Sequence, residues 1–139
     1  MIAYLDSSVL LRIVLGQRDR LEDWRRVREG VASALVEVEC LRTLDRLKLS
    51  AGLSDRDLAA RREAVYRLLD EVSVIDAGST ILSRASQPFP TPLGTPDAIH
   101  LATALAWRES GHPDLVMATH DAALGTAARA MGFDVRGVA

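Results

Sequence analysis

Two hydrophobic periods alternate along the chain, and they predict strands and helices in turn. Ile2, Ala3, Tyr4 and Leu5 form an unbroken apolar run that reads as a short buried strand, with Asp6, Ser7 and Ser8 at its carboxyl edge. Val9, Leu10, Ile13 and Val14 then recur at helical spacing, so Asp6 sits at a strand-to-helix junction, where open α/β sheets present ligand-binding groups. After a polar break at 16–20, Leu21, Trp24 and Val27 keep helical spacing through 21–29, with Gly30 as the stop and 31–33 as a very short strand. Ser33 opens a helix over 34–49 whose core stripe is Val36, Cys40, Thr43, Leu44 and Leu47, ended by Ser50, Ala51 and Gly52. Ser54 caps a further helix to about residue 70, with Asp55 and Asp57 in its first turn.

The second half repeats the alternation. Residues 72–75 are a strand candidate and 80–85 a short helix, while Pro88, Pro90, Pro92, Gly94 and Pro96 make 87–96 an extended surface loop. Thr95 and Pro96 supply a cap and a first-turn proline for a helix over 96–109, apolar around most of its circumference and therefore buried. A strand at 115–118, a helix opened by Asp121 and running through 131, and a strand at 133–135 complete a single α/β domain over 1–139. Its order predicts a mostly parallel sheet with helices on both faces.

Composition narrows the function classes. Hydrophobic residues make up 48% of the chain but aromatics only 4%, so the core is built from Ala, Val and Leu and there are few platforms for stacking bases. A formal charge of -2 argues against gripping nucleic acid over the whole surface and leaves room for a local basic patch. Cys40, the only cysteine, excludes an internal disulfide and a thiolate zinc site. No apolar run approaches the ~20 residues of a membrane span, and no basic segment leads into a signal-peptide core, so a cytoplasmic protein is expected.

Charge also singles out four acids. Asp6 and Asp121 follow strands and open helices, positions that helix capping explains as well as ligand binding does. Asp97 lies in a helical first turn, where the macrodipole stabilises it by about 0.3–1 kcal/mol, yet it shares a face with Leu101, Ala104 and Leu105 and so needs a partner or a cation. Glu39 and Glu37 flank the stripe of their helix on opposite sides, and spacing does not choose between them; Glu39 could simply pair with Arg42. Acids at strand ends and at a buried helix start can meet above one edge of a parallel sheet, and like charges so placed repel unless a metal sits between them. Oxygen donors without Cys or a His cluster select Mg2+ or Mn2+. His100, His112 and His120 are scattered and none is taken as a ligand, His100 being expected as a partly buried polar residue and His120 as a loop residue beside the site. Mg2+ held by few carboxylates shares its remaining positions with water and substrate phosphate, which points to phosphodiester hydrolysis. Arg12, Arg18 and Arg42 are candidate phosphate contacts, or else solvated surface charge.

At these residues the sequence resembles a PIN-domain ribonuclease, and within that family the VapC-type toxins of toxin-antitoxin pairs. The marks are residues 4–8 (Tyr-Leu-Asp-Ser-Ser), 33–42, the more specific 95–104 (Thr-Pro-Asp-Ala-Ile-His-Leu-Ala-Thr-Ala) and 118–121 (Ala-Thr-His-Asp). The resemblance implies a three-layer α/β/α sandwich and metal binding by Asp6, Glu39, Asp97 and Asp121, which selects Glu39 over Glu37. It further implies that Thr119 orients water or a ligand, that Ser7 is the small hydroxyl residue after the first acid, and that Glu37 departs from a position usually not acidic. It implies a Mg2+- or Mn2+-dependent endoribonuclease acting on structured RNA such as tRNA or rRNA, commonly a homodimer, blocked by the tail of a small antitoxin. Two other readings compete. A haloacid-dehalogenase-like phosphatase needs a second Asp two positions after Asp6, where Ser8 stands, and a PIN-like module that binds RNA or protein without cutting has no need of intact acids.

Overall fold

A computed structural model describes residues 1–139 in full. Its elements are β1 (Ile2–Leu5), α1 (Ser7–Val14), a 3-10 turn (Glu22–Arg26), β2 (Glu29–Ser33), α2 (Leu35–Ala51), α3 (Asp55–Asp70), β3 (Ser73–Ile75), α4 (Ser79–Ala85), α5 (Thr95–Glu109), β4 (Val116–Ala118), α6 (Ala122–Ala130) and β5 (Val135–Arg136). The five strands form one sheet in the order β3-β2-β1-β4-β5, and every pairing is parallel, so the sheet is wholly rather than mostly parallel.

Side-chain alternation along the strands sorts the core into two layers. Ala3, Leu5, Ala32 and Ala118 face Val9 and Leu10 of α1, Val36, Cys40 and Leu44 of α2 and Val65 of α3. Tyr4, Val31 and Met117 face Leu101 and Leu105 of α5 and Leu124 and Ala128 of α6. The result is the expected α/β/α sandwich. Chain order runs outward from β1 through β2 and β3, then crosses to β4 and β5 on the other side. The reversal puts a crevice at the carboxyl ends of β1 and β4, the place where such sheets bind ligands. Ala118 pairs with Leu5, so the residues that follow each strand, Asp6 and Thr119, are brought side by side.

Three local expectations are corrected. Leu21, Trp24 and Val27 pack inward, but the segment is only one 3-10 turn before the chain extends into β2. Gly30 is accordingly no helix stop but the interior of β2, where a Cβ would stand 2.7 Å from Leu5 Cδ1 and 2.8 Å from Val72 Cγ1. The backbone there must be bare for β1 and the approach to β3 to close on it. At α5 the cap residue is Gly94 and Thr95 already lies in the first turn, so no side chain caps that helix.

Candidate active site

Asp6 is held in place by the junction it was expected to cap. Its Oδ1 accepts from Ser7 N–H at 2.8 Å and its Oδ2 from Ser8 Oγ at 2.7 Å. The resemblance put weight on the Ser7 hydroxyl, but it is the Ser8 hydroxyl that holds the acid, and Ser8 Oγ also accepts from His120 N–H at 2.9 Å. The carboxylate is nearly inaccessible, at 3% exposure, yet charge-assisted donors surround it, which offsets the cost of removing it from water.

Thr119 joins two acids. Its buried hydroxyl donates to Asp6 Oδ2 at 2.8 Å and accepts from Asp121 N–H at 3.0 Å. Asp121 caps α6, its Oδ1 accepting from Leu124 N–H at 2.9 Å. Thr119 N–H donates to Arg136 O, which ties this corner to β5. Just beyond β5, Gly137 has a φ of +104° and a Cβ there would stand 2.3 Å from Thr119 O, so only glycine lets the C-terminal segment pass so close.

Glu39 is half-buried on α2 and turns to His100, not to Arg42, whereas Glu37 is exposed. His100 is the residue that the sequence undervalued. It is fully buried on α5, its Nε2 lies 2.5 Å from Glu39 Oε1 and 3.5 Å from Asp6 Oδ1, and its Nδ1 lies 2.7 Å from Tyr4 Oη. Because a carboxylate only accepts, Nε2 carries a proton whether the ring is neutral or charged. Tyr4 Oη in turn accepts from Ser33 N–H at 3.2 Å, and burial and the nearby Asp6 charge hold the phenol well above its ordinary pKa, so it stays protonated. Burial pulls the His100 pKa down, but the hydrogen bond to Glu39 and the charges of Asp6, Glu39 and Asp97 outweigh it and raise the pKa above its ordinary value. A signal existed in the sequence: His100 stands one helical turn after Asp97 and so points to the same end of the sheet.

Asp97 differs from the others in making no hydrogen bond through its side chain. It is half-buried, less enclosed than its shared face with Leu101, Ala104 and Leu105 suggested. Its pKa is pushed up to about 6, first by burial, then by the charges of Asp121 and Asp6, with Glu39 adding and His100 opposing. The four acids therefore feel one another, as the sequence implied. No three of them, with or without His, stand ready to enclose an ion. The donor set nonetheless suits a hard cation, because Mg2+ keeps most of its waters and needs only one or two direct carboxylates. A cation near Asp97 would also relieve the repulsion that raises its pKa.

His112 lies outside this cluster, stacked on Trp107. His120 sits beside it as expected. Its Nδ1 lies 3.0 Å from Gly137 O and so donates there, which leaves Nε2 as a buried nitrogen without a partner. Cys40, buried beside Glu39, has its thiol pushed up to about 12 by burial and the charges of Glu39 and Asp6, so it offers neither a nucleophile nor a thiolate ligand.

Comparison with known proteins agrees with this geometry. The family model described as PIN domain matches residues 3–129. Ribonuclease VapC46 of Mycobacterium tuberculosis (strain ATCC 25618 / H37Rv) is 32% identical over 135 residues, 95% of this chain and 94% of that protein. Among solved structures, a toxin-antitoxin complex from Klebsiella pneumoniae aligns with a TM-score of 0.66 at 17% identity, over 100% of this chain and 96% of its own. VapBC2 from Rickettsia felis, bound to a DNA fragment from its promoter, aligns with a TM-score of 0.66 at 11% identity, over 97% of each chain. At those identities the two structures speak for the fold alone. The family match and the curated relative, each spanning nearly the whole chain, carry more: this chain belongs to the PIN-domain family, among its VapC-type ribonuclease toxins.

Proposed function

We propose that the chain is an endoribonuclease toxin that hydrolyses RNA phosphodiester bonds with Mg2+ or Mn2+ held by Asp6, Asp97 and Glu39, Asp121 lying close beside them. The observation that carries this reading is Asp97: a half-buried carboxylate without a hydrogen-bond partner, whose pKa is raised by burial and by the charges of Asp121, Asp6 and Glu39. Structural caps are satisfied by their own helix, as Asp121 is, and Asp97 is not.

A bound divalent ion would neutralise the scissile phosphate and lower the pKa of a water at neutral pH. The chain's own residues do the rest. Asp6 is fixed by Ser7, Ser8 and Thr119, so its carboxylate is oriented before any ligand arrives. Thr119 couples Asp6 to the backbone of Asp121 and sets the spacing across the crevice. His100 orients Glu39 from behind and is itself steadied by Tyr4. No side chain of the cluster serves as a covalent nucleophile, so water attacks and inversion at phosphorus is expected. A small antitoxin is the natural inhibitor on this reading, its tail entering the acidic crevice. The support is that the solved structures sharing the fold include a toxin-antitoxin complex and a VapBC assembly.

The test is cleavage of a structured RNA by purified, antitoxin-free protein. Cutting is expected with Mn2+ or Mg2+ and not in chelator, and equal cutting in chelator overturns the metal mechanism. Glu39→Gln should abolish cutting while Glu37→Gln keeps most of it. The opposite pattern would assign the wrong acid of α2.

A further inference from the structure

A polar cleft of about 370 Å³ begins at His120, between Thr119 and Asp121, and is lined by Arg12, Arg18 and Arg20. Through Arg18 and Arg20 it continues into a second hollow of about 260 Å³ that adds Trp24 and Arg25. Arg12 Nη1 is anchored by Asp19, 2.9 Å from its carbonyl and 3.0 Å from its carboxylate. Asp23 lies 3.2 Å from Arg26 and 3.7 Å from Arg136. That neutralises two acids of the lining and leaves Glu22 as the only one without a cation. Arg18, Arg20 and Arg25, all exposed, form no ion pair. In a chain of net charge -2, three unpaired guanidinium groups thus share one groove beside His120, opposed there by the single unpaired acid Glu22.

Resting on the nuclease reading, we infer that this groove carries the single-stranded RNA flanking the scissile phosphate, with Arg18 and Arg20 on successive phosphates. A positively charged groove that tracks the backbone is what a nucleic acid strand requires. A protein partner is disfavoured because Asp19, Glu22 and Asp23 share the lining, and acids are depleted at the centre of protein interfaces. The exposed large apolar side chains, Val38, Leu49, Tyr66, Val74 and Leu82, all lie elsewhere, on α2, α3, β3 and α4. Cutting next to such a track explains how a protein with few aromatics and no overall positive charge can still hold RNA.

The experiment measures binding of a fluorescein-labelled single-stranded RNA in chelator, where cutting is off, over a range of salt, and cleavage of the same RNA in Mn2+. Arg18→Ala/Arg20→Ala should weaken binding about tenfold and lower the slope of log affinity against log salt by about 1.4, at ~0.7 for each phosphate of a single strand that is no longer neutralised. Its cleavage should suffer through KM. Arg56→Ala/Arg67→Ala, on α3 outside the groove, removes the same charge and should change neither. An unchanged salt slope in the groove variant, with the original chain binding and cutting RNA, overturns the groove alone. A groove variant that binds RNA normally but escapes inhibition by an antitoxin assigns the groove to that protein and also overturns it. An original chain that cuts the structured RNA but does not bind the single-stranded one overturns the groove, and one that cuts neither removes the nuclease reading itself.

Discussion

Thr119 and Asp97 define the two kinds of residue in the site. Thr119 is wholly buried and satisfied at both ends, so Thr119→Val, which keeps the shape and removes the hydroxyl, leaves Asp6 short of a donor and Asp121 N–H short of an acceptor. A loss of roughly 1–3 kcal/mol of stability is expected, together with loss of cleavage, and Thr119→Ser should recover most of both in denaturant melts and RNA assays. Asp97 behaves oppositely. Its folded-state pKa, raised to about 6 from 3.8 by burial and neighbouring acids, means that the folded chain binds a proton more tightly than the unfolded one. Its contribution to stability is therefore present below pH 3.8 and declines as pH rises through 6. His100, also raised, acts in the same sense at higher pH. In chelator, Asp97→Asn should flatten the fall in melting temperature between pH 4 and 7 and melt at or above the original chain at pH 7. A variant clearly less stable at pH 7 would show Asp97 to be a structural cap.

At the scale of elements, the helix α5 does most to assemble the site, because it carries Asp97 and His100 one turn apart and lays His100 between Tyr4 of β1 and Glu39 of α2. His100→Ala leaves the Tyr4 hydroxyl and the Glu39 carboxylate without that partner, and a buried group so left costs about 1–3 kcal/mol. If His100 positions Glu39, the variant also binds Mn2+ more weakly, and His100→Gln, which can still donate to Glu39, recovers metal affinity ahead of stability. An unchanged Mn2+ affinity in His100→Ala would mean that the residue only fills space. The junctions at Asp6 and Asp121 were legible from sequence because a cap is a local event, set by the residues that follow it. The role of His100 was not, since its partners lie 61 and 96 positions away and only the packed sheet brings them together. Gly30 was misread for a related reason: glycine marks a helix stop and a close strand approach equally well, and the contact that decides, with Leu5 and Val72, is long-range.

For the whole molecule, the strand order places the reversal between β1 and β4, and the two best-organised site residues, Asp6 and Thr119, fall at that point. The sequence implied the α/β/α sandwich and the converging acids, but order and register had to come from the structure, which shows why the crevice opens at that edge of the sheet. Cleavage on the nuclease reading depends on a metal held by these acids. Calorimetric titration of Mn2+ into antitoxin-free protein measures that binding, for the original chain beside Asp97→Asn. Saturable binding by the original chain is expected, weakened at least tenfold in the variant, with a rise in melting temperature on adding Mn2+ that is much larger for the original, since a ligand stabilises only the state that binds it. Equal Mn2+ affinity for the two proteins, or no binding by the original chain, would contradict that dependence.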